Sequence, residues 1–381
     1  MVHDAATVTS DGVRVASERS AASGDSRIHR RARVTYRAVR TVAPTMLELD
    51  GSTGGGQLVR SALSLSALTE EPFRMEGVRA NRPKPGLRPQ HRTAVRAVAQ
   101  ACDATVEGDD VGSETLTFEP GTPAGGEVAV DIGTAGSVTL LFDALLPLAT
   151  VLDDPLAVTA RGGTDVKWSP PMAFYRRVKL PLLRRAGLAA AVDLTRTGFY
   201  PAGGGEATLW LAPSSLASLS LAERGDATGV RVYSTASTDL ADPEVAERQA
   251  TTARERVEAA GHDVTESQVT YVDTRSPGTS LVVRADYERT VAGFDEFGER
   301  GTPAETVAAD AVDSFLEFHD GPGAVDEHLA DQLLVFLGLA GGEMTVPAVT
   351  DHVETNRDLL AAFGYDVSLE RSPSGVRLVG E

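Results

Sequence analysis

The chain has 381 residues, 42% hydrophobic and 24% charged, a globular composition rather than that of a disordered acidic chain. Its longest apolar stretch, 138–151, is broken by Asp143 and Pro147, which argues against a membrane-spanning helix, and a single cysteine, Cys102, excludes an internal disulfide framework and a thiolate metal cage. The net charge of −18 argues at first against a nucleic-acid partner.

That charge is unevenly made. Residues 1–45 carry eight arginines against four acids, a net +4, which leaves −22 on the remainder. The segment is rich in Ser, Ala and Thr and has neither a helix-period apolar face nor the continuous apolar core of a secretory signal. It is expected to be a disordered extension, or sequence upstream of a true start at Met46, in preference to an RNA-binding arm. The chain holds only three lysines, Lys84, Lys167 and Lys179, among its 36 cations. Acid excess with almost no lysine suits a protein of salt-rich cytoplasm, where strong net charge keeps a surface hydrated despite severe screening. The corresponding expectation is a stability midpoint that rises between low and multimolar salt.

From Met46 a strand-then-helix rhythm begins. A strand is predicted over 47–50, a glycine loop over 51–56, and a helix over 57–69 with Leu58, Ala62, Leu65 and Leu68 at helical spacing. A second helix follows at 88–101, then strands at 104–107 and 115–118. The pattern returns with a strand at 128–132, a glycine turn at 133–136 and an apolar helix at 137–150. A strand at 156–160, a loop at 162–165 and a proline-initiated helix at 171–186 come next, with strands and glycine-rich turns over 192–211. Residues 213–286 interrupt the rhythm with strands at 230–234, 268–272 and 280–285 around a helix at 243–260, and read as a small inserted α/β domain. A third unit holds helices at 302–318, 325–339 and 350–363, a strand at 344–346 and two final strands. The division expected is therefore an extension of 1–45, a body of 46–212 and 287–381, and an insert of 213–286.

Glycine clusters at 54–56 and 133–136 precede helices, an arrangement that offers free N–H groups and the positive dipole end to phosphate. None matches a P-loop or a dinucleotide fingerprint, and each alone is as well explained by a tight turn. The loop at 78–95 gathers Arg79, Arg82, Lys84, Arg88, His91 and Arg92 within an acidic body. It reads either as a solvated charged loop or as a phosphate cradle, for which arginine forks are suited. The seven histidines show no metal-ligand spacing. His352 falls where a helix is predicted to start, a position that favours a neutral, nucleophilic imidazole and would stabilise a phosphate bonded to it.

Taken together and in order, the segments 49–52 with 54–61 (LDGS, GGGQLVRS), 78–87 (VRANRPKPGL), Gln90-His91, 133–137 (GTAGS), 162–165 (GGTD), 199–205 (FYPAGGG), 326–333 (DEHLADQL) and His352 with Thr355-Asn356 resemble the RNA 3'-terminal phosphate cyclase family, in an archaeal, halophilic form, over about 47–380. The resemblance implies an α+β fold of three repeated units, each two helices on a four-stranded sheet, shared with enolpyruvyl transferases, with a small α/β domain inserted before the third. It implies a cytoplasmic, ligase-type enzyme that takes ATP and RNA with a 3'-phosphate end. A histidine is adenylated, AMP passes to the RNA phosphate, and the 2'-hydroxyl displaces it to leave a 2',3'-cyclic phosphate. By motif position, His352 is the nucleophile. His328, Leu329, Ala330, Asp331, Gln332 and Asp143 fall where the family binds ATP, Pro171 and Phe174 flank the adenine, and Arg60, Arg79, Arg82, Gln90 and His91 cradle the RNA terminal phosphate or the ATP phosphates. Asp331 is expected to orient the ring of His352. A divalent metal, Mg or Mn, is also implied, but its ligands are unknown: a glutamate usual before the glycine triplet is absent, and Asp50, Glu48 or the ATP phosphates are the substitutes. His328 stands where the family commonly has tyrosine, and Asp143 where some members have glutamine. The competing readings are a non-catalytic cyclase-like ribosome-assembly factor, an enolpyruvyl transferase, and a simple RNA-binding module.

Overall fold

A computed structural model of the chain describes residues 46–372 and 375–381. The expectation for 1–45 lies outside the described residues.

The first unit runs β1 (Leu47–Asp50), α1 (Gly56–Thr69), β2 (Phe73–Glu76), α2 (Pro89–Cys102), β3 (Thr105–Glu107) and β4 (Thr115–Glu119), with sheet order β1-β2-β4-β3. In α1, Leu58, Ala62 and Leu65 lie on one face and are all buried, and the helix stops at Glu70 in the left-handed conformation, φ 58°. The second unit runs β5 (Gly126–Asp131), α3 (Val138–Asp143), a 3-10 turn (Leu146–Thr150), β6 (Leu156–Gly162), α4 (Met172–Phe174), a π turn (Tyr175–Lys179), α5 (Leu180–Arg185), β7 (Ala190–Arg196) and β8 (Gly205–Leu211). Its order is β5-β6-β8-β7.

The third unit begins at β9 (Leu219–Leu221) and resumes with α8 (Glu327–Ala340), β14 (Gly342–Val346), α9 (Asp351–Ala362), β15 (Val367–Ser372) and β16 (Gly375–Gly380), with β9-β14-β16-β15 as its sheet. All three sheets thus have one topology: first, second, fourth, third strand, with only the first pair parallel. The repeat inferred from rhythm is a repeat of connectivity.

Between β9 and α8 sit β10 (Ala227–Ser237), α6 (Val245–Ala259), β11 (Val264–Val272), β12 (Thr279–Tyr287), β13 (Val291–Phe297) and α7 (Ala304–Asp320), whose sheet order β11-β10-β12-β13 differs from the other three. The insertion therefore lies inside the third unit, after its first strand, not before it. The expected 213–286 differs at both ends. Leu219–Leu221 pairs in parallel with Gly342–Met344 of the third sheet. At the other end, Val307, Ala308, Val312 and Phe315 of α7 bury into the insert's own core with Val232, Leu281 and Phe294, so this helix belongs to the insert. A second, larger core runs through the three repeated units.

Two breaks in helical regularity set the positions of Asp143 and Lys179. The helix expected over 137–150 breaks after Asp143, with Pro147 near the start of the succeeding 3-10 turn. The helix over 172–185 contains a π turn just before Pro181. Proline cannot donate to the helix ladder, and the carbonyl of Arg177, four residues back, instead accepts from Arg284 of the insert. Lys179 lies within that turn and points inward, 1% exposed.

Candidate active site

A cavity of about 1950 Å3 is lined by residues of all three units and the insert. Of the residues singled out from the sequence, His352, His328, Asp331, Gln332, Asp143, Phe174, Arg60, Arg79, Arg82, Gln90 and His91 line it. Leu329, Ala330 and Pro171 do not. Leu329 and Ala330 are fully buried on the core side of α8, and Pro171 caps the start of α4 from within the protein.

One end of the cavity is rich in donors. The N-terminus of α1, at Gly55 and Gly56, has no side-chain cap. The Arg82 guanidinium lies over Gly55, and His91 packs so tightly on Gly56 that a Cβ there would fall 2.1 Å from Nε2. His91 is 3% exposed, and its Nδ1 accepts the Arg88 N–H at 3.1 Å, so the neutral ring carries its proton on Nε2. Burial, with Arg60, Arg79 and Arg88 nearby, pushes the ring down to about 3, so it is neutral at working pH. Gln90 accepts the Ser137 N–H on Oε1, which turns its NH2 toward His91 Nε2, 3.4 Å away. Two donors thus meet beside the helix N-terminus with no acceptor between them. This is an anion site built of neutral donors, with arginines around it.

Arg79 has a second task. Its Nη1 donates to the carbonyls of Lys84 (2.9 Å) and Gly86 (2.7 Å), and its backbone is left-handed, φ 56°. It staples the basic loop as well as contributing charge.

Behind this end lies a buried charge trio. Lys179 donates to Asp143 Oδ1 at 2.6 Å, with side-chain exposures of 1% and 15%. Burial lowers Lys179 and Arg60 alike, and in both cases Asp143 opposes the shift. One carboxylate between two cations leaves a net +1 facing the cavity. Asp143 is thus an ion-pair partner of Lys179 where its motif position implied a nucleotide contact. Motif reading misses Lys179, although a signal is present: all three lysines of this lysine-poor chain, Lys84, Lys167 and Lys179, line this one cavity.

His352 is the second residue of α9, in the first turn behind the N-cap Thr350, whose Oγ1 accepts the Val353 N–H at 3.1 Å. The expected orientation of His352 by Asp331 takes another form. Asp331 accepts from Thr350 Oγ1 at 2.7 Å, so it braces the cap of the helix that carries the histidine. Burial raises the Asp331 carboxyl, opposed by Thr350, His352 and His328. Gln332 spends its Nε2 on the His328 carbonyl and leaves a buried Oε1 unpaired on the cavity wall. Phe174 is 2% exposed and packs against Gly293, closing the floor more than offering a face.

Another wall of the cavity is acidic, with Asp295 from the insert and Asp326, the N-cap of α8, from the third unit. Burial, with Glu296, Asp326 and Asp165 nearby, lifts Asp295 to about 8, and burial lifts Asp326 to about 6. Near neutral pH Asp295 is therefore largely protonated and does not repel a phosphate, whereas Asp326 is mostly ionised. Of the substitutes for the absent loop glutamate, the two carboxylates do not fit. Glu48 and Asp50 are exposed and off the cavity, and Asp50 is spent on the Ser52 N–H at 2.8 Å. Among the described residues no three His, Cys, Asp or Glu side chains are grouped to hold a metal. No described helix is long and apolar enough to cross a membrane.

Comparison with known proteins gives the same family as the motifs. A family model described as RNA 3'-terminal phosphate cyclase matches residues 52–367. An RNA 3'-terminal phosphate cyclase of Halobacterium salinarum is 50% identical over 338 residues, 86% of this chain and 97% of the relative. Relatives of the same name from Methanopyrus kandleri (42% over 337 residues) and Pseudomonas fluorescens (41% over 329) each cover 86% of this chain and 95% of their own length. With the repeated fold and the donor-lined cavity, these matches establish that the chain belongs to the RNA 3'-terminal phosphate cyclase family.

Proposed function

We propose that this protein converts an RNA 3'-terminal phosphate to a 2',3'-cyclic phosphodiester at the expense of ATP, with His352 as the covalent nucleophile. A ring nitrogen of His352 attacks the α-phosphorus of ATP. The bond to the bridging oxygen breaks, pyrophosphate leaves, and AMP is held through a P–N bond. An oxygen of the RNA 3'-phosphate then attacks that phosphorus, the P–N bond breaks, and a phosphoanhydride joins RNA to AMP. The neighbouring 2'-hydroxyl attacks the 3'-phosphorus, gives up its proton, and AMP departs. A DNA end lacks that hydroxyl and would stop at the adenylate.

The observation that carries this reading is the meeting of His91 Nε2–H and the Gln90 NH2 at the uncapped N-terminus of α1, in the same cavity as His352. That end suits a phosphate dianion, and the net positive trio of Arg60, Lys179 and Asp143 behind it supplies the countercharge. The N-terminus of α9 favours the negative charge that accumulates on phosphate joined to His352. Gln332, His328 and Asp331 present polar groups to the nucleotide. A divalent cation, Mg or Mn, enters as the counter-ion of ATP, as part of the substrate. A histidine in this position also favours an enzyme over a non-catalytic assembly factor.

Incubation with α-labelled ATP, Mg or Mn and concentrated salt tests this. Folded wild-type protein acquires acid-labile label, and His352→Ala does not. Unlabelled wild type refutes the enzyme reading, and equal labelling of His352→Ala moves the nucleophile elsewhere.

A further inference from the structure

We propose that Trp168 and Tyr200 form a stacking platform at the cavity mouth for the unpaired bases next to the RNA 3' end. The inference rests on the cyclase reading above and adds the part of the RNA that is held beyond its phosphate.

Trp168 is 95% exposed and Tyr200 71%, the two most exposed large hydrophobic side chains among the described residues. Both line the cavity that holds the anion site. A lone exposed aromatic needs no explanation, but two on one cavity rim do. Nor are they on slack loops. Trp168 sits between Val166 and Ser169, which are 6% and 9% exposed, and Ser169 Oγ donates to the Val166 carbonyl at 2.8 Å. Its backbone is left-handed, φ 61°, an outlier for a bulky side chain. The fold thus holds an indole outward at some cost. Tyr200 is presented by a second short turn, closed by Gly203 N–H to the Phe199 carbonyl (2.8 Å) and tied to the insert by Ala202 N–H to Ser276 Oγ (3.0 Å).

The two turns are neighbours. Asp165 and Phe199 form a parallel bridge, and the Gly198 carbonyl accepts from Thr164 and Asp165. Lys167, beside Trp168, pairs with Glu299 of the insert on the same cavity rim. Aromatic faces beside a phosphate site are what single-stranded nucleic acid selects, because every base has a π face. Stacking needs those bases unpaired, so the platform predicts a preference for a 3' overhang over a blunt duplex end. It predicts little preference among base identities.

The chain has two tryptophans, so Trp210→Phe leaves Trp168 as the only indole reporter. A single-stranded oligoribonucleotide with a 3'-phosphate should quench its fluorescence, while one abasic at its last two positions should bind without quenching. In steady-state cyclisation, Trp168→Ala should raise KM for the single-stranded RNA on the order of 10-fold. Trp168→Phe should restore most of that, and Tyr200→Ala should act in the same direction. On the abasic substrate, wild type and Trp168→Ala should have equal KM. An equal loss on abasic RNA would make the role structural. Quenching by ATP alone would assign the platform to the nucleotide, and unquenched fluorescence with a protein that still labels on His352 would overturn the platform while leaving the cyclase reading intact. Failure to label would instead overturn the cyclase reading.

Discussion

Replacing Lys179 by Met tests whether the buried trio works as a unit of charge. Lys179 donates to Asp143 at 2.6 Å from a position 1% exposed. Removing one partner of a buried pair strands the other, which typically costs about 3–5 kcal/mol. Arg60 is close enough for Asp143 to oppose its shift, so part of the stranded charge is taken up and the lower end, about 3 kcal/mol, is expected. At roughly 2 °C per kcal/mol for a chain of this size, Tm falls by about 6 °C. The same change takes the trio from +1 to neutral behind the anion site. Loss of one hydrogen bond's worth of charged support, about 1.5–3 kcal/mol, corresponds to a rise of roughly 10- to 100-fold in KM for a 3'-phosphate RNA. The double variant Lys179→Met, Asp143→Leu discriminates. It replaces the pair with apolar side chains, often a neutral exchange, and leaves Arg60 to supply +1. Thermal melts and initial-rate cyclisation should show both Tm and KM returning toward wild type. A double variant no better than the single in either measurement refutes the reasoning, as does a single variant that loses less than about 1 kcal/mol.

Gly56→Ala places a Cβ within 2.1 Å of His91 Nε2, so the imidazole must move although alanine suits the helix better than glycine. Transfer to the RNA phosphate should fall by about 100-fold, the scale of a misplacement of 1 Å, and by more than self-labelling falls, in single-turnover assays of the two steps. Unchanged transfer would show that His91 is not part of the phosphate site. Asp326 gives the pH dependence. Burial raises it from 3.8 to about 6, so the fold favours the protonated acid: its contribution is present below about pH 4 and is lost as pH rises through about 6. Asp326→Asn keeps the cap on the Leu329 N–H but never ionises. It should stabilise by about 1–3 kcal/mol above pH 6 and leave stability unchanged near pH 4. A difference in Tm that is flat from pH 4 to 8 would count against it.

The parts of the fold legible in the sequence are those written in local chemistry. Leu58, Ala62 and Leu65 give α1 its helical period, and glycines mark the turns before α1 and α3. The rest is set by partners distant in the chain. Phe73–Glu76 is a four-residue strand after a left-handed turn, and Leu219–Leu221 is a strand only because Gly342–Met344 lies beside it. The apolar face of α7 announces a helix but carries no mark of which sheet it covers. Val291–Phe297 opens with Val-Ala-Gly-Phe, a short apolar run whose strand identity comes from pairing with β12. In the site, motif order places His352, Gln90 and His91 together. The Lys179–Asp143 pair spans 36 residues and depends on a π turn, so no motif contains it. The scarcity of lysine is the accessible clue, because a composition that replaces lysine almost everywhere makes each retained one informative.

The acidic body and the RNA-end chemistry are reconciled by what survives in salt. At 1 M ionic strength the Debye length is about 3 Å, so exposed arginines such as Arg82 lose most of their reach, and binding that depends on backbone charge weakens steeply. The groups that define the cavity are of another kind. His91 is neutral and 3% exposed, Gln90 is held by Ser137, and Lys179 is 1% exposed. Their hydrogen bonds and fields act inside the protein, where counter-ions do not screen them. Asp295, raised to about 8, removes negative charge from the cavity wall near neutral pH while the outer surface remains acidic. Stacking on Trp168 and Tyr200 is likewise indifferent to counter-ions in its apolar part. Such a site recognises a terminus by its phosphate and adjoining bases, not a polyanion by its length. The salt slope of RNA binding should therefore be shallow, corresponding to about one or two phosphates, and should not steepen as the oligonucleotide is lengthened from its 5' side.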